Sequence, residues 1–119
     1  MTSTLQRNVK LAKQHAVLSN DHDAEAIAVM LAEDATYSSA HVGDLQGRQS
    51  IREAIEGFFR AFPDVQWGTD GYLASGNEVS FHFAMRATEA TTSETVEQYG
   101  VGTVSFSDDG LITSVTFKE

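Results

Sequence analysis

The chain has 119 residues, a length that builds one domain around one core and leaves no room for a second. Its formal net charge of −9 argues against nucleic acid and anionic membrane as partners, because both need a basic face. It contains no cysteine, which removes disulfides, thiolate chemistry and cysteine-ligated zinc or iron–sulfur centres.

Taken in chain order, Leu5, Val9, Ala12 and Ala16 recur at helical spacing and predict one face of a first helix. Thr2 to Thr4 offer caps at its start, and Asn20 sits where it can stop. The opening MTSTLQRNVK lacks an apolar core of signal-peptide length, and no apolar run approaches about 18 residues, so a cytoplasmic location is expected. Asp21 or Asp23 caps a second, short helix whose apolar side is Ile27, Met30 and Leu31. Asp21, His22 and Asp23 are all metal-ligating types, but neighbours at a helix start point apart; capping is the better reading, and no metal is expected. A strand is predicted over Asp34 to His41. A third helix begins after Gly47, with Ile51, Ile55, Phe58, Phe59 and Phe62 on its inner side, and Pro63 ends it.

From Val65 onward the period changes to two. Val79, Phe81, Phe83 and Met85 alternate with Ser80, His82, Ala84 and Arg86, which places the first set inward and the second outward. Thr95 to Phe106 and Leu111 to Phe117 are two further strands. Gly76-Asn77 and Asp109-Gly110 are tight-turn signals, and Ala90 to Ser93 closes the middle hairpin. Folding about Thr91-Thr92 sets Arg86 opposite Glu97. The inward face of the strand after that loop is Val96, Gln98, Gly100, Gly102, Val104 and Phe106; its glycines either let the sheet curl or leave room for a ligand. Asp108-Asp109-Gly110 reads as a turn, since the other ligand positions of a calcium loop are missing. Helices first, one early strand, a helix, then an antiparallel meander make an α+β layout, a curved sheet with helices on one face.

Four segments in this order, NDHDAEAIAVMLAEDATY, GRQSIREAIEGFFRAFPDV, GNEVSFHFAMRAT and DDGLITSV, resemble the nuclear transport factor 2-like superfamily. The FFRAFPDV tail resembles its SnoaL-like branch most. The resemblance spans nearly the whole chain, so residues 1–119 are expected to form a single domain of that type. It implies a cone-shaped antiparallel sheet around the N-terminal helices, a mostly apolar pocket at the open end, and a homodimer through the convex sheet face. It does not fix an activity, because the superfamily includes steroid isomerases, polyketide cyclases, epoxide hydrolases, dehydratases and binding domains.

The resemblance makes the face bearing Tyr37, Ser39 and His41 the pocket wall. Matched to the steroid isomerases, Ser39 stands where the general-base aspartate belongs, His15 where a donor tyrosine belongs, and Gly102 where the second acid belongs. The acid near the last strand of SnoaL-type cyclases is replaced by inward Val115 and Phe117, and no inward arginine lies between two aspartates as in the epoxide hydrolases. His15 either titrates in the pocket or is a helix histidine hydrogen-bonded to a neighbour. If the domain is an enzyme, the expected pocket uses His15 and Tyr37 to polarise or protonate the substrate and Ser39, His41 and Gln98 to orient it. Phe58, Phe62, Trp67, Phe83, Met85, Gly102, Val115 and Phe117 complete its wall. Tyr37 either donates to a carbonyl or packs as an aromatic, and Trp67 either covers the mouth or fills core. The expected ligand is a small carbonyl-bearing or largely apolar metabolite, with no cofactor; the alternative is a non-catalytic binding or dimerisation module.

Overall fold

The structure is a computed structural model that describes residues 3–119, so Thr2, one of the expected caps, lies outside the described residues. Helix α1 spans Thr4–Asn20 and is capped by Ser3, whose hydroxyl accepts from the Gln6 N–H at 3.1 Å while the Gln6 side chain accepts from the Ser3 N–H. Helix α2, Ala24–Met30, is capped by Asp23, which accepts from the Ala26 N–H at 3.0 Å. Helix α3, Arg48–Ala61, follows Gly47 and ends before Pro63. Among the described residues, no helix is long and apolar enough to cross a membrane.

Six strands, β1 (Leu31–Ser39), β2 (Gly43–Gln46), β3 (Gln66–Ser75), β4 (Glu78–Thr88), β5 (Thr95–Phe106) and β6 (Ile112–Lys118), form one curved sheet in the order β2-β1-β6-β5-β4-β3. The helices close one side of it, and the fold is an α+β cone. The sheet is mixed, which corrects the expectation of an antiparallel one: β1 runs parallel to β6. Alternation along a strand reports its two faces and carries no information about which neighbour it joins. The chain leaves β1 through β2 and α3, and the meander that follows brings its last strand back beside β1 in the same direction. Strand β2 was missed because Gly43, Asp44, Leu45 and Gln46 show no apolar alternation; it is held by pairing to β1.

Strand β4 has the expected faces. Phe81, Phe83 and Met85 are buried, and His82 and Arg86 are exposed. Arg86 pairs with Glu97 in register, with their charged groups 3.7 Å apart in solvent. An ion pair so exposed contributes little.

The inward face of α1 differs from expectation. Leu5 is 45% exposed, and the buried stripe is Asn8, Ala12, His15 and Ser19. Apolar spacing cannot find a face whose inward residues are mostly polar. Part of their polarity is met locally: Ser19 Oγ donates to the His15 carbonyl at 2.9 Å, and Asn8 Oδ1 accepts from both Arg7 Nε and Nη2. Arg7 in turn donates to the Asp108 carbonyl at 3.0 Å and so ties α1 to the turn before β6.

Candidate functional site

The bulge that shifts β1 against β6 between Leu31 and Thr36 sets the alternation of the rest of the strand. Tyr37 and Ser39 then fall on the concave side, and His41 follows in the turn to β2. Phe83 and Met85 come from β4, Gln98 from β5, Phe117 from β6, Trp67 from β3 and Phe58 from α3. With Val42 these side chains surround one cavity.

The cavity is nearly closed. Its volume is ≈ 20 Å³, room for about one water. Aromatic contacts fill most of the space. The Phe83 and Phe117 rings meet edge to face at 5.1 Å, and Tyr37 lies 6.1 Å from Phe117. At the outer end Phe58 sits 6.1 Å from Trp67 and 5.9 Å from His41.

The polar groups of the wall are few and mostly uncommitted. Ser39 Oγ accepts from the Val42 N–H at 3.2 Å, which leaves its hydroxyl proton to give. Among the described residues, the Tyr37 hydroxyl, the Gln98 amide and the His41 ring are joined to no protein partner by a hydrogen bond. Burial pushes the Tyr37 hydroxyl well above its ordinary pKa, so it is a neutral donor. The wall therefore offers hydroxyl and amide donors, amide and imidazole acceptors, and no carboxylate.

Nine expected residues, Tyr37, Ser39, His41, Phe58, Trp67, Phe83, Met85, Gln98 and Phe117, come together around this cavity. Four do not line it. His15 lies buried on α1 with its Nε2 unpartnered, and burial drives its pKa from 6.5 down to about 4. Phe62 stands behind Phe58, with ring centres 5.0 Å apart, and packs on His41 at 5.8 Å. Gly102 is covered by Phe81: a Cβ built there would lie 2.4 Å from the ring. Val115 is core, beside Tyr37 in the β1–β6 pairing.

Two residues were missed as site elements. Val42 lines the cavity from a turn that the expected strand ran into. Asn20 was read as a helix stop and does more. Its Oδ1 accepts from the Trp67 N–H at 2.7 Å, and its Nδ2 donates to the Trp67 carbonyl at 2.9 Å. No local pattern signals a contact between residues so far apart in the chain. Nearby, His22 Nε2 lies 2.7 Å from the Val65 carbonyl, and its ring stacks on Phe59 at 4.7 Å. With Asp23 engaged as a cap, the Asp21-His22-Asp23 triplet serves the junction of α1 and α2.

A cone with one partly polar cavity inside the sheet defines the class, a nuclear transport factor 2-like domain. The family profile of the SnoaL-like domain matches residues 12–115, and the chain belongs to that family. No curated protein matches it in sequence. Several solved structures share its fold. One is the epoxide hydrolase/cyclase-like enzyme SalBIII of pyran ring formation in the polyether salinomycin, with TM-score 0.82 and 21% identity over 98% of this chain and 92% of that one. Another is RV0760c from Mycobacterium tuberculosis in complex with estradiol-17beta-hemisuccinate, with TM-score 0.83 and 15% identity over 95% and 93%. A third is a computationally designed 17-OHP binder, with TM-score 0.76 and 17% identity over 95% and 91%.

Proposed function

We propose that this SnoaL-like domain binds a small, largely apolar metabolite bearing a carbonyl or hydroxyl group, and that the Tyr37 cavity is the site. The observation that carries the reading is the set of uncommitted polar groups, Tyr37, Gln98 and His41, beside the Ser39 hydroxyl on a wall whose remaining side chains are aromatic or aliphatic. Tyr37 is buried, Gln98 half-buried and His41 exposed, so the anchor is Tyr37: a ligand oxygen placed against its hydroxyl gains a hydrogen bond sheltered from water. Solved relatives of the fold include proteins captured with, or designed for, a small molecule, and that supports the same use here. Because the cavity holds about one water, a ligand enters by displacing side chains at the outer end, where Phe58, Trp67 and His41 meet.

The absence of a carboxylate from the wall favours binding, or carbonyl polarisation by the Tyr37 hydroxyl, over removal of a proton from carbon. His15 is outside the wall and belongs to the site only if the side chains between move. The protein acts as a homodimer, paired through the convex sheet face on which Tyr99 is 63% and Val101 43% exposed. A monomer mass by light scattering at micromolar concentration would remove that part.

The test uses Trp67, the only tryptophan, as reporter. Cyclic ketones are titrated against the matched cycloalkanes while its emission is followed. Saturable change with the ketones, weakened roughly fivefold in Tyr37→Phe, is the expected result. Equal response to ketone and alkane would refute a polar anchor at Tyr37.

A further inference from the structure

Helix α1 carries Arg7, Lys10 and Lys13 and no carboxylate, in a chain of net charge −9. Arg7 is committed inward, to Asn8 Oδ1 and to the carbonyls of Ser107 and Asp108. Lys10 and Lys13 are exposed, and among the described residues neither pairs with a carboxylate. Lys13 Nζ stands 5.3 Å over the Tyr72 ring. Between these lysines and β3 runs an open groove of ≈ 420 Å³, lined by Leu5, Gln6, Val9, Lys10, Lys13 and Ala74. Its floor is aliphatic, which is why Leu5 and Val9, spaced as core residues, remain in part exposed.

We propose that this groove docks an acidic amphipathic helix of a partner protein, with aliphatic side chains on Leu5, Val9 and Ala74 and carboxylates on Lys10 and Lys13. Charge selects the occupant. The groove is a local basic strip on an otherwise acidic molecule, so an acidic segment is attracted only if it contacts this strip and little else. A helix satisfies that condition, because charges beyond about 8 Å are screened at physiological salt. An anionic bilayer does not: it extends across the whole molecule and meets the excess of acids, and two lysines give too weak a hold. A second copy joined by a two-fold axis through this face would bring its own Lys10 and Lys13 against their counterparts.

The experiment measures fluorescence anisotropy of a labelled model helix with leucines at i, i+3, i+4 and i+7 and glutamates elsewhere. A twin helix with glutamine for glutamate serves as the comparison, and vesicles with phosphatidylserine form a separate arm. Expected are saturable binding of the acidic helix, at least about tenfold weaker binding of the glutamine twin, and a loss of about tenfold or more in Lys10→Glu/Lys13→Glu. Leu5→Ser, a change at an exposed position, tests the aliphatic floor separately and should also weaken binding. No saturable binding at low salt, undiminished binding by both variants, or binding to the vesicles in preference to the helix would each overturn the proposal.

Discussion

The Asn20 side chain and the Trp67 main chain form a two-bond ring, with Asn20 Oδ1 taking the Trp67 N–H at 2.7 Å and Asn20 Nδ2 giving to the Trp67 carbonyl at 2.9 Å. The last residue of α1 thereby holds the start of β3, and with it one wall of the cavity. Gln66 Nε2 adds a bond to the Asn20 carbonyl at 3.1 Å. The outer end of the site therefore has one wall pinned through the main chain of β3. Another, the Phe58 ring, is held by aromatic packing on a helix whose end is tied by the Ala90 N–H to the Ala61 carbonyl at 2.8 Å.

Asn20→Ala removes both bonds to partly buried main-chain groups and is expected to cost about 2 kcal/mol. Urea unfolding followed by Trp67 emission measures it, and the native emission should shift toward that of a more mobile indole. Asn20→Asp keeps the acceptor and loses the donor, so it should fall between the two. An unchanged midpoint in Asn20→Ala would mean that β3 is positioned by its pairing with β4 alone.

Stability should fall in acid through His15. Its pKa is about 4 in the folded chain, against 6.5 for the ordinary imidazole, because burial disfavours the charged form. The unfolded chain therefore takes up the proton first as pH falls. The contribution of neutral His15 is fully present above about pH 6.5 and is lost between there and about pH 4, a span worth about 3 kcal/mol. Denaturant unfolding at a series of pH values should show this slope, and His15→Gln should flatten it. An equal slope in the variant would assign the acid sensitivity to other groups.

Gly102→Ala should destabilise by about 1–3 kcal/mol, because the added carbon falls on the Phe81 ring at 2.4 Å. Phe81→Leu makes room, so the double variant should be more stable than the sum of the two single changes by about 0.5 kcal/mol or more. Thermal unfolding of the three variants gives the coupling directly. Strict additivity would mean that the ring simply turns aside.

The wild type should not isomerise a Δ5-3-ketosteroid above background. The cavity is ≈ 20 Å³ and no carboxylate lines it. Missing stabilisation of an enolate costs roughly 2.7–4 kcal/mol per lost donor, before the missing base is counted. Ultraviolet absorbance of the conjugated product is the assay. Ser39→Asp supplies a carboxylate at a wall position, whereas Gly102→Asp has no such opening beneath Phe81. Robust turnover by the wild type would show that the reacting groups lie elsewhere.

Much of the architecture was legible in the residues. Period-two alternation set Phe81, Phe83 and Met85 inside and His82 and Arg86 outside, because the pleat leaves no other choice once one face is apolar. The loop around Thr91-Thr92 fixed Arg86 against Glu97, since a hairpin's register follows from its turn. Alternation also put Tyr37 and Ser39 on one shared face, and it was the family resemblance that made this face the cavity side, where they meet Gln98 and Phe117. These are local properties of the chain. What the tertiary structure alone decided depends on which distant segments meet. The parallel pairing of β1 with β6, the bulge before Thr36, the Asn20–Trp67 ring and the closure of the cavity by Phe58 and Trp67 all join residues far apart in sequence. The inward face of α1 belongs with them: Asn8, His15 and Ser19 are buried because the sheet curls over that side, and the aliphatic spacing of Leu5 and Val9 serves the surface instead. Hydrophobic period reports which side of an element is apolar, and only packing decides which side is covered.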